Sequence, residues 1–222
     1  MKERPILLNA EMVRAVLDGR KTQTRRIIQS PAKNMQASGQ KVIDYREPGD
    51  KWYGDHVFSM RNQSGTWCDY TREQFLAKCP FGAVGDRLWV RETFSGHYLD
   101  DEQIEDIKAG RDKPSELCEY RADYPAGAQA VEGWTPSIHM PRWASRITLE
   151  ITGVRVERLN SMTERDAIAE GCIGGHNSIP GYHYSATPHE HFHHVWQSIY
   201  GADSWQANPW VWVIEFKRVE VE

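Results

Sequence analysis

The segment PWVWVIEFKRVEV, residues 209–221, constrains the fold more than any other stretch of this chain. A strand with water on one face alternates apolar and polar side chains. This one is apolar at nearly every position of its first half, so it has to be covered on both faces, as a central strand or as a stave of a barrel. Its natural companion is ITLEITGVRVERL, residues 147–159, where Ile147, Leu149 and Ile151 alternate at period two and Val154 and Val156 resume the alternation. Gly153 breaks the phase between them, which predicts a bend or bulge.

Around these strands the chain alternates short elements with polar connections. Residues 5–8 read as a short apolar strand and Asn9 as a helix N-cap. Met12, Val13, Val16 and Leu17 then repeat at helical spacing, and Gly19 stands where a left-handed C-cap is expected. Thr22, Thr24, Ile27 and Ile28 suit an extended chain. Further short strands are expected at 42–45, 57–60 and 88–93. Short helices are expected in TREQFLAKC from Thr71, in DDEQIEDIKAGRD, and in SMTERDAIAEG, capped by Ser161 or Thr163 and stopped by Gly171. HEHFHHVWQSIYG reads as a helix with Phe192, Val195, Trp196 and Ile199 on its apolar face.

Five or six strands, three or four short helices and no repeat argue against a doubly wound parallel sheet. The expected class is α+β: a small mixed β-barrel with flanking short helices, in one domain over 1–222, with two long insertions at about 30–79 and 95–136. A hydrophobic fraction of 40% supplies a packed core and argues against wholesale disorder. No apolar run reaches the ~18 residues of a membrane helix. The apolar stretch near the N-terminus spans four residues, too short for a signal peptide. The expectation is a cytoplasmic protein with no membrane partner. Cys68, Cys79, Cys118 and Cys172 form no CxxC pair, and they read as ordinary reduced thiols. A net charge of −4 argues against non-specific coating of nucleic acid, which needs a broad cationic field, and leaves room for a local basic cleft.

Chemistry concentrates in a few places. DGRKTQTRR, residues 18–26, packs Arg20, Lys21, Arg25 and Arg26 around Thr22 and Thr24. A threonine hydroxyl becomes a nucleophile when a base takes its proton, and a lysine among other cations can serve as that base. In a continuous strand residues three apart face opposite sides, so Lys21 and Thr24 converge only if the chain bends between them. The other reading is a solvated turn whose cations sit at a helix C-terminus, and composition and spacing alone favour it. Glu170 ends its helix against the negative end of the helix dipole, an unfavourable place for a carboxylate unless it has a use. Pairing it with Lys21 would favour the charged lysine and oppose its role as a base. In HEHFHH, His189 and His193 share a helix face, but HExxH is absent and no third ligand is marked, so solvated histidines and no metal are expected. Arg91, Glu92, Arg142, Trp143 and Arg146 combine arginine with tryptophan, as base stacking and phosphate contact would require and as ordinary strand edges also do.

Together these residues resemble the ASCH domains of the PUA-like superfamily. Gly19, Lys21, Thr24 and Arg26 match the GxKxxTxR-type element. GDRLWVRE resembles the strand after the GD turn, TERDAIAEG the family helix and NPWVWVIEFKRV the closing strand. The chain is most similar to prophage-encoded ASCH-like proteins of enterobacterial type, over 1–28, 80–94 and 140–222. The resemblance implies a PUA-like barrel with a cleft and a nucleoside or RNA ligand. Some small ASCH proteins are amidohydrolases that deacylate N4-acetylcytidine; carried over by motif, the catalytic residues are Lys21, Thr24 and Glu170, with neither metal nor cofactor. Others are RNA-binding or ribonucleolytic. For a binding module or a substrate cleft the contacts expected here are Arg26, Arg91, Glu92, Arg142 and Trp143.

Overall fold

The computed structural model describes residues 1–96, 99–125, 127–130 and 133–219 of the chain. The first half runs β1 (Glu3–Leu7), α1 (Ala10–Leu17), β2 (Gln23–Ile27), α2 (Lys33–Ala37), β3 (Ile43–Tyr45), β4 (Phe58–Arg61), β5 (Trp67–Tyr70), α3 (Arg72–Leu76) and β6 (Arg87–Arg91). The second half runs β7 (Phe94–Ser95), α4 (Asp101–Lys108), α5 (Pro114–Leu117), β8 (Glu119–Tyr120), β9 (Thr148–Arg158), α6 (Glu164–Ala169), α7 (Pro188–Tyr200) and β10 (Trp210–Val219). The class is mixed α+β, as the pattern predicts.

The main sheet has the order β1-β6-β9-β10-β2, parallel between β1 and β6 and antiparallel elsewhere. The near-continuous apolar segment is β10, and it lies between β9 and β2. Residues 220 and 221 of that segment lie outside the described residues. The phase break at Gly153 is a bulge: Glu215 stands opposite Gly153 and Phe216 opposite Ile151, which leaves Thr152 unmatched. A Cβ at Gly153 would come within 2.5 Å of the Glu215 carboxylate.

A closed barrel is not formed among the described residues. The sheet ends at β1 and β2. A side chain spans the gap between them: Arg26 Nη2 donates to the Leu7 carbonyl at 2.8 Å. The physical reason lies in what covers β10. Trp212, Ile214 and Phe216 join a core with Ile6, Val13, Val16, Phe58 and Phe75 on one face. Val211 and Val213 join a second core with Leu159, Ala167, Phe192, Val195 and Trp196 on the other. Layers on both faces bury the strand without closure.

The first insertion builds part of one layer. Its strands form a sheet of order β3-β4-β5. Phe58 stacks on Phe75 at 4.5 Å, and Phe75 meets Trp212 of the main sheet at 5.5 Å. The second insertion packs Phe94, Cys118 and Tyr120 against Met140 and Ala144, and the Tyr120 hydroxyl donates to the Ala144 carbonyl at 2.8 Å. Residues 97, 98, 126, 131 and 132 of that insertion lie outside the described residues.

Helix ends follow local chemistry. Asn9 accepts from Met12 N–H at 2.8 Å, and Gly19 adopts φ 72° just past α1. Thr163, rather than Ser161, caps α6 in a reciprocal box with Asp166. On α7 the buried residues are His191, Phe192, Val195 and Trp196. Ile199 is exposed, because Tyr200 covers Trp196 at 4.3 Å in its place.

Candidate functional site

Strand alternation sorts the residues around β2 onto two faces. Lys21, Gln23 and Arg25 face α6 and meet its acids. Lys21 Nζ donates to the Glu170 carboxylate and to the Glu170 carbonyl, both at 2.8 Å. Arg25 Nη1 donates to the other Glu170 oxygen at 3.2 Å, and Nη2 reaches Glu157 at 3.0 Å and Asp166 at 3.2 Å. Gln23 donates to Asp166 at 3.2 Å. Arg155 extends the network to Asp166 at 3.0 Å and to Glu157 and Glu215. The side chains of Lys21 and Arg25 are wholly buried and that of Glu170 nearly so.

The main chain brings this about. Thr22 N–H donates to the Ala169 carbonyl at 2.8 Å, Lys21 N–H to Ala15 at 2.9 Å, and Arg20 Nη1 to Gly171 at 3.1 Å. Gly171 has φ 93°, and a Cβ there would lie 2.8 Å from that of Ala15 and 3.2 Å from that of Lys21. Only glycine lets the end of α6 come so close to Lys21. Asp166 sits well below the usual carboxylate range. Burial pushes it up, but the Thr163 N–H and hydroxyl, Gln23 and the Arg25 guanidinium outweigh that.

Thr24 belongs to the other face. It pairs with Ile214 and is fully buried, and its hydroxyl has no hydrogen-bond partner among the described residues. The structure therefore brings Lys21 and Glu170 into contact and keeps the Thr24 hydroxyl outside their hydrogen bonds.

The predicted binding residues divide as well. Arg142 and Trp143 line a cleft of about 920 Å³, together with Lys108, Lys113, Arg146 and Arg218, against a single acid, Asp112. The cleft is walled by α4, the loop into α5, the turn before β9 and the end of β10. Glu92 is buried behind it and grips Arg146 with both oxygens, at 2.9 and 3.0 Å. Burial pushes the Glu92 carboxyl up against the opposing pull of Arg146. Arg91 donates to the Ile138 carbonyl instead, and Arg26 is the bridge between β1 and β2. Lys108, Lys113 and Arg218 carry no sequence signal, because they converge from segments far apart in the chain.

The histidine cluster differs from expectation. His191 is buried, with Nε2 3.1 Å from Glu11, and the rings of His189 and His193 stand edge-on to Trp205 at 5.3 and 4.6 Å. Among the described residues no three His, Cys, Asp or Glu side chains gather as metal ligands, and no helix is long and apolar enough to cross a membrane.

Fold and site define an α+β protein in which a short helix is locked by buried charges onto one face of an open sheet, beside a basic cleft. No protein-family model matches the chain, and comparison with curated proteins and with solved structures gives no match.

Proposed function

We propose that this chain is an ASCH-like, PUA-like module that binds RNA or a modified nucleotide in its basic cleft. The observation that carries this reading is the convergence of five cations and Trp143 on one hollow in a chain whose net charge is −4. Cations attract phosphate, and an indole face stacks on any base. Labelled single-stranded RNA titrated with protein at rising salt tests it. Binding should weaken with salt, fall in Arg142→Ala and Trp143→Ala, and persist in Thr24→Val. No binding at low salt would remove the reading.

A second reading, a metal-independent amidohydrolase acting on N4-acetylcytidine or a related acylated nucleoside, draws on the contact between Lys21 and Glu170. In that mechanism Lys21 takes the proton of Thr24, whose oxygen attacks the acetyl carbonyl. Glu170 orients the lysine and helps protonate the departing N4, and water then releases acetate. It requires the chain to rearrange so that Thr24 comes within reach of Lys21. Incubation with N4-acetylcytidine decides the point: turnover that vanishes in Thr24→Val supports it, and no release of cytidine eliminates it.

A further inference from the structure

The cations of the cleft are not equivalent. Arg142 Nε is bonded to Glu3 at 3.0 Å, Lys108 to Glu105 at 2.6 Å, and Arg146 to both Glu92 and Asp123. These charges are already matched. Among the described residues Lys113 and Arg218 have no carboxylate partner, and the Arg218 guanidinium makes only a long hydrogen bond, 3.5 Å to the Leu17 carbonyl. They stand on separate walls, Lys113 at the start of α5 in the second insertion and Arg218 near the end of β10.

Resting on the nucleotide-binding reading, we propose that Lys113 and Arg218 form the seat of a terminal phosphate, and that the nucleoside carrying it stacks on Trp143. The charge count favours a terminal group. An internal phosphodiester carries one negative charge, whereas a phosphate monoester carries about −1.5 to −2 at neutral pH, which matches two unpaired cations. The size of the hollow agrees. About 920 Å³ lies within the roughly 300–1,000 Å³ of small-ligand pockets, room for a nucleotide or one end of a strand rather than a track along a polymer. The matched arginines complete the division of labour: Arg146, held by Glu92, is a rigid wall, while the two cations without a carboxylate partner among the described residues are left to meet an anion. The phosphate belongs either to a free nucleotide or to an RNA end, and the same chemistry recognises both.

Calorimetric titration of the full chain separates the alternatives. The probes are cytidine, cytidine 5′-monophosphate, and a short RNA with or without a terminal phosphate. The monophosphate should bind ~10-fold or more tighter than the nucleoside, as expected for charge-assisted hydrogen bonds. The preference should disappear in the double variant Lys113→Gln, Arg218→Gln, both exposed positions where glutamine keeps the fold. Trp143→Ala should weaken nucleoside and nucleotide alike. A tighter response to the phosphorylated RNA end than to the free nucleotide assigns the seat to RNA ends; the reverse assigns it to nucleotides. If neither the nucleotide nor the RNA binds tighter for its terminal phosphate, or the preference survives in the double variant, the phosphate seat is overturned while the binding reading stands. If nucleoside, nucleotide and RNA all fail to bind, both fall.

Discussion

At Thr24 the fold carries a hydroxyl that is sealed from water and has no hydrogen-bond partner among the described residues. Such a group costs about 1–3 kcal/mol. Thr24→Val should therefore raise the unfolding free energy, by ~1 kcal/mol in urea titration; a loss of stability would mean that the hydroxyl has a partner in solution. Lys21 is the opposite case. Its ammonium is buried against Glu170, and removing one member of a buried pair costs about 3–5 kcal/mol because the other is left uncompensated. Lys21→Met should lose that much, less whatever Arg25 recovers by holding Glu170 alone. The two variants also bear on function. Thr24→Val tests catalysis without disturbing the fold, whereas loss of activity in a Lys21 variant would reflect structure as readily as chemistry.

Helix α6 has six residues, too few to be stable in isolation. It is held by its ion pairs and by the close approach at Gly171, and this sets its response to acid. Asp166 has a folded pKa below its unfolded value of about 3.9. Its stabilisation is fully present above the unfolded value and is lost as pH falls through the folded one. Asp166→Asn should thus be less stable than the parent at neutral pH, and the gap should narrow as pH drops below about 4, followed by thermal unfolding across an acid series. A constant gap would show that the aspartate is not the group responsible. The sequence announces α6 through its two N-cap candidates, Ser161 and Thr163, and the glycine stop at Gly171. It also marks Lys21 and Glu170 as unusual. It does not announce Arg25 as the hub of the lock, because its partners Glu157 and Asp166 are brought in from distant segments, by strand β9 and by helix α6. The period-two rule does supply the separation of Lys21 from Thr24: Lys21, just ahead of β2, meets the acids of α6 together with Gln23 and Arg25, and Thr24 does not.

Across the whole molecule, the first insertion is structural. Phe75 is fully buried between Phe58 and Trp212, joining β3–β5 to the main sheet. Phe75→Ala should lower stability by about 3–5 kcal/mol in one cooperative transition. A separate early transition confined to the insertion would contradict that coupling. Within the insertion β3, β4 and α3 were legible, whereas α2 and β5 were not, lying in stretches without a periodic apolar pattern; the attachment to the core was not legible either, since aromatic stacking across segments leaves no periodic trace. The cleft was legible only in part, through Arg142 and Trp143, because the rest of its walls come from the second insertion and the last strand. The barrel was over-read for the same reason: a strand buried on both faces looks alike in sequence whether the cover is a closed sheet or two layers. The position of β10 has a consequence for synthesis. Among the described residues strand β2 has no partner strand except β10, which leaves the ribosome last of all the elements described. At about 5–20 residues per second, the nascent chain holds Lys21 and Arg25 unsheltered for on the order of ten seconds or more. The charges that lock the finished fold are, for that interval, what keeps this edge strand in water and away from other chains.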